Sequence, residues 1–100
     1  MKSISQLLDM HNRSALITGA CGGLGTVFSE TISELGGDIF LVDIPGSNFT
    51  ELTQKLNKYD NKVVCLECNL ESEEDRIKLI KTVKSDENSL DVLINNAAFG

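Results

Sequence analysis

The stretch Leu16-Ile17-Thr18-Gly19-Ala20-Cys21-Gly22-Gly23-Leu24-Gly25 sets an apolar run directly against four glycines in seven residues. Upstream, Ser14 to Thr18 reads as a short buried strand with Ala15-Leu16-Ile17 at its centre. From Leu24 onward, Val27, Phe28, Ile32 and Leu35 recur at three- and four-residue spacing, the apolar stripe of an amphipathic helix. Gly19 to Gly25 is therefore a turn joining a strand to a helix. A helix N terminus offers unpaired N–H groups and partial positive charge, and glycines there let an anion approach the backbone closely. Gly36-Gly37 ends the helix, since glycine readily takes left-handed backbone past a C terminus.

The alternation continues to the end of the chain. Asp38 to Ile44 is a second strand, broken by Pro45-Gly46-Ser47. Phe49, Leu52, Leu56 and Tyr59 line a second helix ending near Asn61, and Lys62 to Cys68 forms a third strand. Ser72 reads as the N-cap of a third helix, with Glu73, Glu74 and Asp75 in the first turn, where the helix dipole favours acids. Ile77, Ile80 and Val83 form its stripe, and Asp91 to Asn95 is the fourth strand. Continuously apolar strands imply a sheet covered on both faces, as in parallel sheets with crossover helices. The pattern predicts the opening half of a doubly wound α/β fold, with strand order 3-2-1-4 and right-handed crossovers. In such folds ligands lie beyond the carboxyl ends of the strands. Asp43 ends the second strand, from where a carboxylate accepts hydrogen bonds from the adenosine ribose and repels a 2′-phosphate.

Composition narrows the function classes. One hundred residues make at most one domain. A net charge of −6 with scattered lysines and arginines disfavours nucleic acid and anionic membranes as partners. No apolar stretch is long enough to span a bilayer, and the start does not read as a signal peptide. Three cysteines without secretion signals point to reduced thiols in a cytoplasmic protein. Cys65-Leu66-Glu67-Cys68 would need two more ligands for a structural zinc, and positions three apart on a strand face opposite ways. No metal site is expected; Cys65 reads as core and Cys68 as strand-end packing. Cys21 occupies a helix N terminus, where thiol pKa values fall, but it lacks a nearby base and reads as a small filler. His11 reads as solvent-exposed.

Taken together, Thr18-Gly19-Ala20-Cys21-Gly22-Gly23-Leu24-Gly25 resembles the cofactor turn of the short-chain dehydrogenase/reductase family. Leu8-Asp9-Met10 and Arg13-Ser14-Ala15-Leu16-Ile17 resemble its usual opening, and Asn95-Asn96-Ala97-Ala98 is similar to its Asn-Asn-Ala-Gly motif, with Ala98 replacing the glycine. The plain G-x-G-x-x-G spacing fails, because the third position is Phe28. Gly19, Gly23 and Gly25 match the spacing of the single-domain branch. Gly19, Gly22 and Gly25 match the extended branch, which includes sugar-nucleotide epimerases. The Asn95–Ala98 motif resembles the single-domain branch, which is the reading adopted.

The resemblance implies a Rossmann-like fold and hydride transfer between NAD(H) and a small alcohol/carbonyl substrate. It implies that Gly19, Gly23, Leu24 and Gly25 cradle the pyrophosphate. Gly22 marks the uncharged slot where NADP enzymes often place a basic residue. Asp43, followed by Ile44, would hold the adenosine ribose, and Asn69 and Leu70 would flank the adenine. Asn96, Ala97 and Ala98 would approach the nicotinamide-side ribose. With nothing positive in the turn or after Asp43, the expected cofactor is NAD, with NADP disfavoured. Asn69-Leu70 departs from the family's Asp-Val or Asp-Leu pair.

Family catalysis uses an upstream Ser and a Tyr-x-x-x-Lys helix, whose tyrosine exchanges a proton with the substrate. Tyr59 is the only tyrosine, four residues on stands Val63, and it precedes the Asn-Asn motif. No catalytic residue is assigned. The expectation is a lead-in over 1–13 and a cofactor-binding half over 14–100, truncated before the catalytic segment and inactive alone. The alternatives are a non-catalytic nucleotide-binding or regulatory fragment and an extended-branch epimerase or dehydratase fragment. A homo-oligomer is an expectation for a longer parent only, because family oligomers use later helices.

Overall fold

Ala15, Leu16 and Ile17 are flanked by Ser14 and Thr18, and all five residues are buried as strand β1 (Ser14–Thr18). In the computed structural model, which describes residues 9–85 and 90–97, six further elements follow. They are α1 (Gly23–Glu34), β2 (Asp38–Asp43), α2 (Thr50–Leu56), β3 (Val63–Glu67), α3 (Glu73–Lys84) and β4 (Leu90–Asn95). The strands form one four-stranded sheet in the order β3-β2-β1-β4, and every pairing is parallel. The α/β alternation and the 3-2-1-4 order are those predicted from the sequence.

Side chains alternate across the sheet and build two cores. On one face Ala15, Ile17, Ile39 and Leu41 pack with Leu52 and Leu56 of α2, joined by Phe28 and Ile32 of α1. Ile17, Ile39 and Leu41 are fully buried, each removing enough apolar surface to contribute about 1.5–3 kcal/mol. On the other face Leu16, Phe40 and Val42 pack with Cys68, and with Leu79 and Val83 of α3.

Burial falls from the centre of the sheet to its edges, so the cover on both faces implied by the apolar strands is complete only at the centre. β1 and the middle of β2 are sealed, but β3 and β4 are only partly buried. Cys65 is exposed rather than core, because β3 is an edge strand in this sheet; Cys68, just past its end, is buried. The stripe of α3 holds at Val83 and is otherwise corrected. Leu79 and Val83 face the sheet, whereas Ile77 is 46% and Ile80 51% exposed. Among the described residues α3 is the only helix on its face, so its orientation is set by one contact row and the flanking apolar residues stay at the surface.

Element ends shift slightly. β2 stops at Asp43, leaving Ile44 exposed, and α2 stops at Leu56, so Tyr59 packs on the core from a turn. β4 begins at Leu90, one residue earlier than read from the sequence. Gly36 takes the left-handed conformation, φ +93°, just after α1.

Candidate functional site

Four parallel strands end on the same side, and the loops leaving them enclose a cleft of about 490 Å³. Its first wall is the turn after β1. Gly19 adopts φ +64°, and the Gly22 N–H donates to the Gly19 carbonyl at 3.1 Å, closing the turn. α1 then starts at Gly23 with Gly22 as its N-cap, in extended backbone that provides no side-chain cap. No acid lies in the first turn of α1. The amides of Gly23, Leu24 and Gly25 precede the first intrahelical bond and have no intrahelical acceptor by helix geometry. Gly25 is fixed by close approach: a Cβ there would lie 2.1 Å from the Gly19 carbonyl oxygen and 2.8 Å from the Ala20 Cα.

The second wall is the segment leaving β4. Thr18 Oγ1 accepts hydrogen bonds from the Asn96 N–H at 3.0 Å and the Ala97 N–H at 3.1 Å, and donates to Asn95 Oδ1 at 3.0 Å. Asn96 Nδ2 donates to the Gly19 carbonyl at 3.3 Å. A Cβ on Gly19 would come within 3.1 Å of the Ala97 Cα. The glycine turn and the Asn95-Asn96-Ala97 segment are thereby locked together. Thr18 is the residue sequence reading missed; its place immediately before Gly19 was the available signal.

The remaining walls come from β2 and β3. Asp43 Oδ2 accepts from the Cys21 N–H at 2.9 Å, and its Oδ1 accepts from the Ile44 N–H at 2.8 Å. The Cys68 N–H donates to the Asp43 carbonyl at 2.8 Å. Asn69 Oδ1 accepts from the Glu71 N–H at 3.1 Å, which leaves one amide-oxygen lone pair and the NH2 group for other partners.

Eight of the residues singled out from sequence line this cleft: Gly19, Gly22, Asp43, Ile44, Asn69, Leu70, Asn96 and Ala97. Val42, Cys68 and Glu71 complete the lining, and no lysine, arginine or histidine contributes to it among the described residues. Gly23 lies instead in a smaller recess of about 160 Å³ between α1 and α2, beside Cys21 and Asn48. Leu24 is 63% exposed on the first turn of α1, and Gly25 is buried behind it. Ala98 lies outside the described residues.

Cys21 shows how the site acts on a side chain. Burial pushes its thiol above the ordinary range, and the neighbouring Asp43 carboxylate pushes it further the same way. Cys21 precedes the N-cap Gly22 and does not show the lowering expected of a thiol at a helix N terminus. Tyr59 packs on the α1–α2 face of the sheet, its hydroxyl 3.4 Å from Glu30 Oε1, and is not part of the cleft lining. Among the described residues no group of three His, Cys, Asp or Glu side chains is placed to hold a metal ion, and no helix is long and apolar enough to cross a membrane.

Residues 13–100 match the family described as short chain dehydrogenase. The chain belongs to that family. It is 33% identical over 99 residues to a tropinone reductase homologue of Arabidopsis thaliana, an alignment covering 95% of this chain and 36% of the relative. The fold matches that of a short-chain dehydrogenase/reductase from Mycobacterium marinum with a TM-score of 0.89 at 18% identity, over 98% of this chain and 40% of that one. It also matches an NADPH-dependent 3-quinuclidinone reductase from Rhodotorula rubra, with a TM-score of 0.82 at 29% identity, over 93% of this chain and 35% of that one. The chain thus spans little more than a third of the length of these relatives. It is part of an oxidoreductase family with a Rossmann-like fold.

Proposed function

We propose that the cleft holds the adenosine diphosphate portion of a nicotinamide dinucleotide, and that the dinucleotide is NAD rather than NADP. The observation that carries this reading is the N terminus of α1, which has no side-chain cap and whose N-cap residue Gly22 lines the same cleft as Asp43. The local chemistry fits such a ligand. First-turn amides with no acid beside them suit a pyrophosphate, and Gly22 presents no side chain toward it. In this reading the Gly19–Gly25 turn, with Gly23, Leu24 and Gly25 donating amides, receives the pyrophosphate. Asp43 and Ile44 face the adenosine ribose, Asn69 and Leu70 face the adenine, and Asn96 to Ala98 approach the second ribose. Asp43 accepts one amide on each oxygen and keeps a further lone pair on each for ribose hydroxyls, a charge-assisted hydrogen bond worth about 1.5–3 kcal/mol.

Residues 14–100 then serve as the cofactor-binding half of an enzyme acting on an alcohol/carbonyl pair, preceded by the lead-in 1–13. When bound, the nicotinamide supplies or accepts the hydride of that interconversion. Thr18 keeps the Asn96 and Ala97 backbone in register with the glycine turn, so that both walls meet the ligand as one rigid surface.

Equilibrium titration of the intact gene product with both dinucleotides tests the reading. NAD should bind more tightly, and NADP binding of equal or greater strength overturns the assignment. The 100-residue chain alone is expected to show no turnover with any alcohol, because Tyr59 stands away from the cleft. Turnover by the purified chain overturns that expectation. The same observation on Tyr59 favours a second reading, a non-catalytic nucleotide-binding fragment. A Ser and a Tyr-x-x-x-Lys encoded downstream of Gly100 would decide for the enzyme.

A further inference from the structure

Parallel register sets Asp43 of β2 directly beside Glu67 of β3, each the last residue of its strand. Residues paired in this way project to the same face of the sheet. Beyond Asp43 the chain makes a tight turn, Ile44-Pro45-Gly46-Ser47, closed by the Ser47 N–H donating to the Ile44 carbonyl at 3.1 Å. Gly46 adopts φ +88°, as the third position of a type II turn requires. Its N–H points back to β3, where Glu67 Oε1 accepts it at 2.8 Å. This bond ties two segments 21 residues apart, and no feature of the cofactor reading uses it.

The position of that amide gives the contact a meaning. If Asp43 receives the adenosine ribose, the backbone immediately after Asp43 is what a phosphate on the 2′-oxygen would meet. Backbone N–H groups in tight turns are natural anion donors. Here the Gly46 amide is already taken, and the group that takes it is itself an anion.

We propose that Glu67 is a second specificity-determining residue at this site. Its carboxylate occupies the Gly46 amide and places a negative charge beside that of Asp43, so that a dinucleotide bearing a 2′-phosphate is rejected. The proposal rests on the assignment of the cleft to a dinucleotide and adds to it a residue outside the cleft lining. Glu67 is exposed, so its substitution leaves the core intact. It touches no part of the unphosphorylated ribose in this reading, and NAD affinity should be indifferent to it.

The test is equilibrium binding of NAD and NADP to the intact gene product and to its Glu67→Gln and Glu67→Ala variants. Glu67→Gln keeps an acceptor for the Gly46 amide and removes only the charge. It should lower the ratio of NADP to NAD dissociation constants by about 3- to 10-fold, with NAD affinity unchanged within about two-fold. That gain should shrink as salt is raised from about 0.02 to 0.5 M, since the interaction is exposed to screening. Glu67→Ala also frees the amide and should lower the ratio further. An unchanged ratio in both variants overturns the role of Glu67 while wild-type selectivity for NAD leaves the cofactor assignment standing. Equal weakening of both dinucleotides would show a loop-supporting role and also overturns it. Failure of the wild type to bind either dinucleotide overturns the cofactor assignment and this inference together.

Discussion

Helices α1 and α3 begin in opposite ways. α3 is capped by Ser72, whose side chain accepts the Asp75 N–H at 3.2 Å, and its first turn carries Glu73, Glu74 and Asp75. Asp75 also accepts the Asn69 N–H at 2.9 Å, fastening the helix start to the loop before it. α1 has glycine at the cap, no side-chain cap and no acid in its first turn. A hydroxyl and three carboxylates answer the amides and dipole of α3 from within the chain. The equivalent donors of α1 are left for something outside it. Yet α1 is the better packed of the two, with Gly25, Ser29 and Ser33 buried, while α3 buries no residue. The chain thus withholds local stabilisation at the end of its more firmly held helix, which is where a binding site can tolerate the omission.

The largest test of this contrast is Gly25→Ala. The added methyl group would fall 2.1 Å from the Gly19 carbonyl, a backbone atom that cannot move without opening the turn. The expected loss is about 3 kcal/mol or more in denaturant unfolding. Gly23→Ala is the control, since a Cβ there meets nothing within 4 Å and should leave stability level or slightly raised. Equal losses from the two would mean that close packing is not what keeps glycine at position 25.

Gly22→Asp makes α1 resemble α3. Gly22 has the extended backbone of an N-cap, and a Cβ there would rest 3.4 Å from the Gly19 carbonyl, an ordinary contact. Stability should rise by a few tenths of a kcal/mol as the new carboxylate caps the helix. Dinucleotide affinity should fall by about 2 kcal/mol or more, because that carboxylate occupies the amides and repels a pyrophosphate. Retained affinity would remove the N terminus of α1 from the site. Ser72→Ala is the reciprocal change. It should cost about 1 kcal/mol of stability and leave dinucleotide affinity untouched.

These two helix starts also mark how far the sequence could be read. The Ser72 cap and its acids are a local pattern, and they fold as that pattern says. The turn after β1 was equally legible as strand, glycines and helix. Which glycine faces the cleft was not, because it depends on the phase at which α1 leaves the turn, and Gly22 rather than Gly23 lines it. The stripe of α3 is legible only at Val83, for a related reason. Ile77, Ile80, Leu79 and Val83 are all apolar, and only contact with the sheet selects Leu79 and Val83. Cys65 lies in an apolar run that looks the same in an edge strand as in a central one. The contacts that fix the loop ends, Asp43 to the Cys21 amide at the cleft and Glu67 to the Gly46 amide beside it, span 22 and 21 residues and leave no local trace.

The smallest expected effect lies at Cys21, between the two walls of α1's turn. A thiol at an unobstructed helix N terminus would ionise early, yet burial and the Asp43 carboxylate hold this one above the ordinary thiol range. Alkylation of Cys21 should therefore be slow near pH 8 and accelerate only at higher pH. A folded-state pKa raised in this way favours the folded chain below the unfolded thiol's pKa, and that contribution is lost as pH rises through the folded value. Asp43→Asn removes the charge while keeping an acceptor for the Cys21 amide, so the thiol should ionise at lower pH and react a few-fold faster. Peptide mapping after timed alkylation of both proteins measures the change at this cysteine separately from Cys65 and Cys68. Identical rates would leave burial as the whole cause, and would show that the field of the Asp43 carboxylate does not reach the turn it is bonded to.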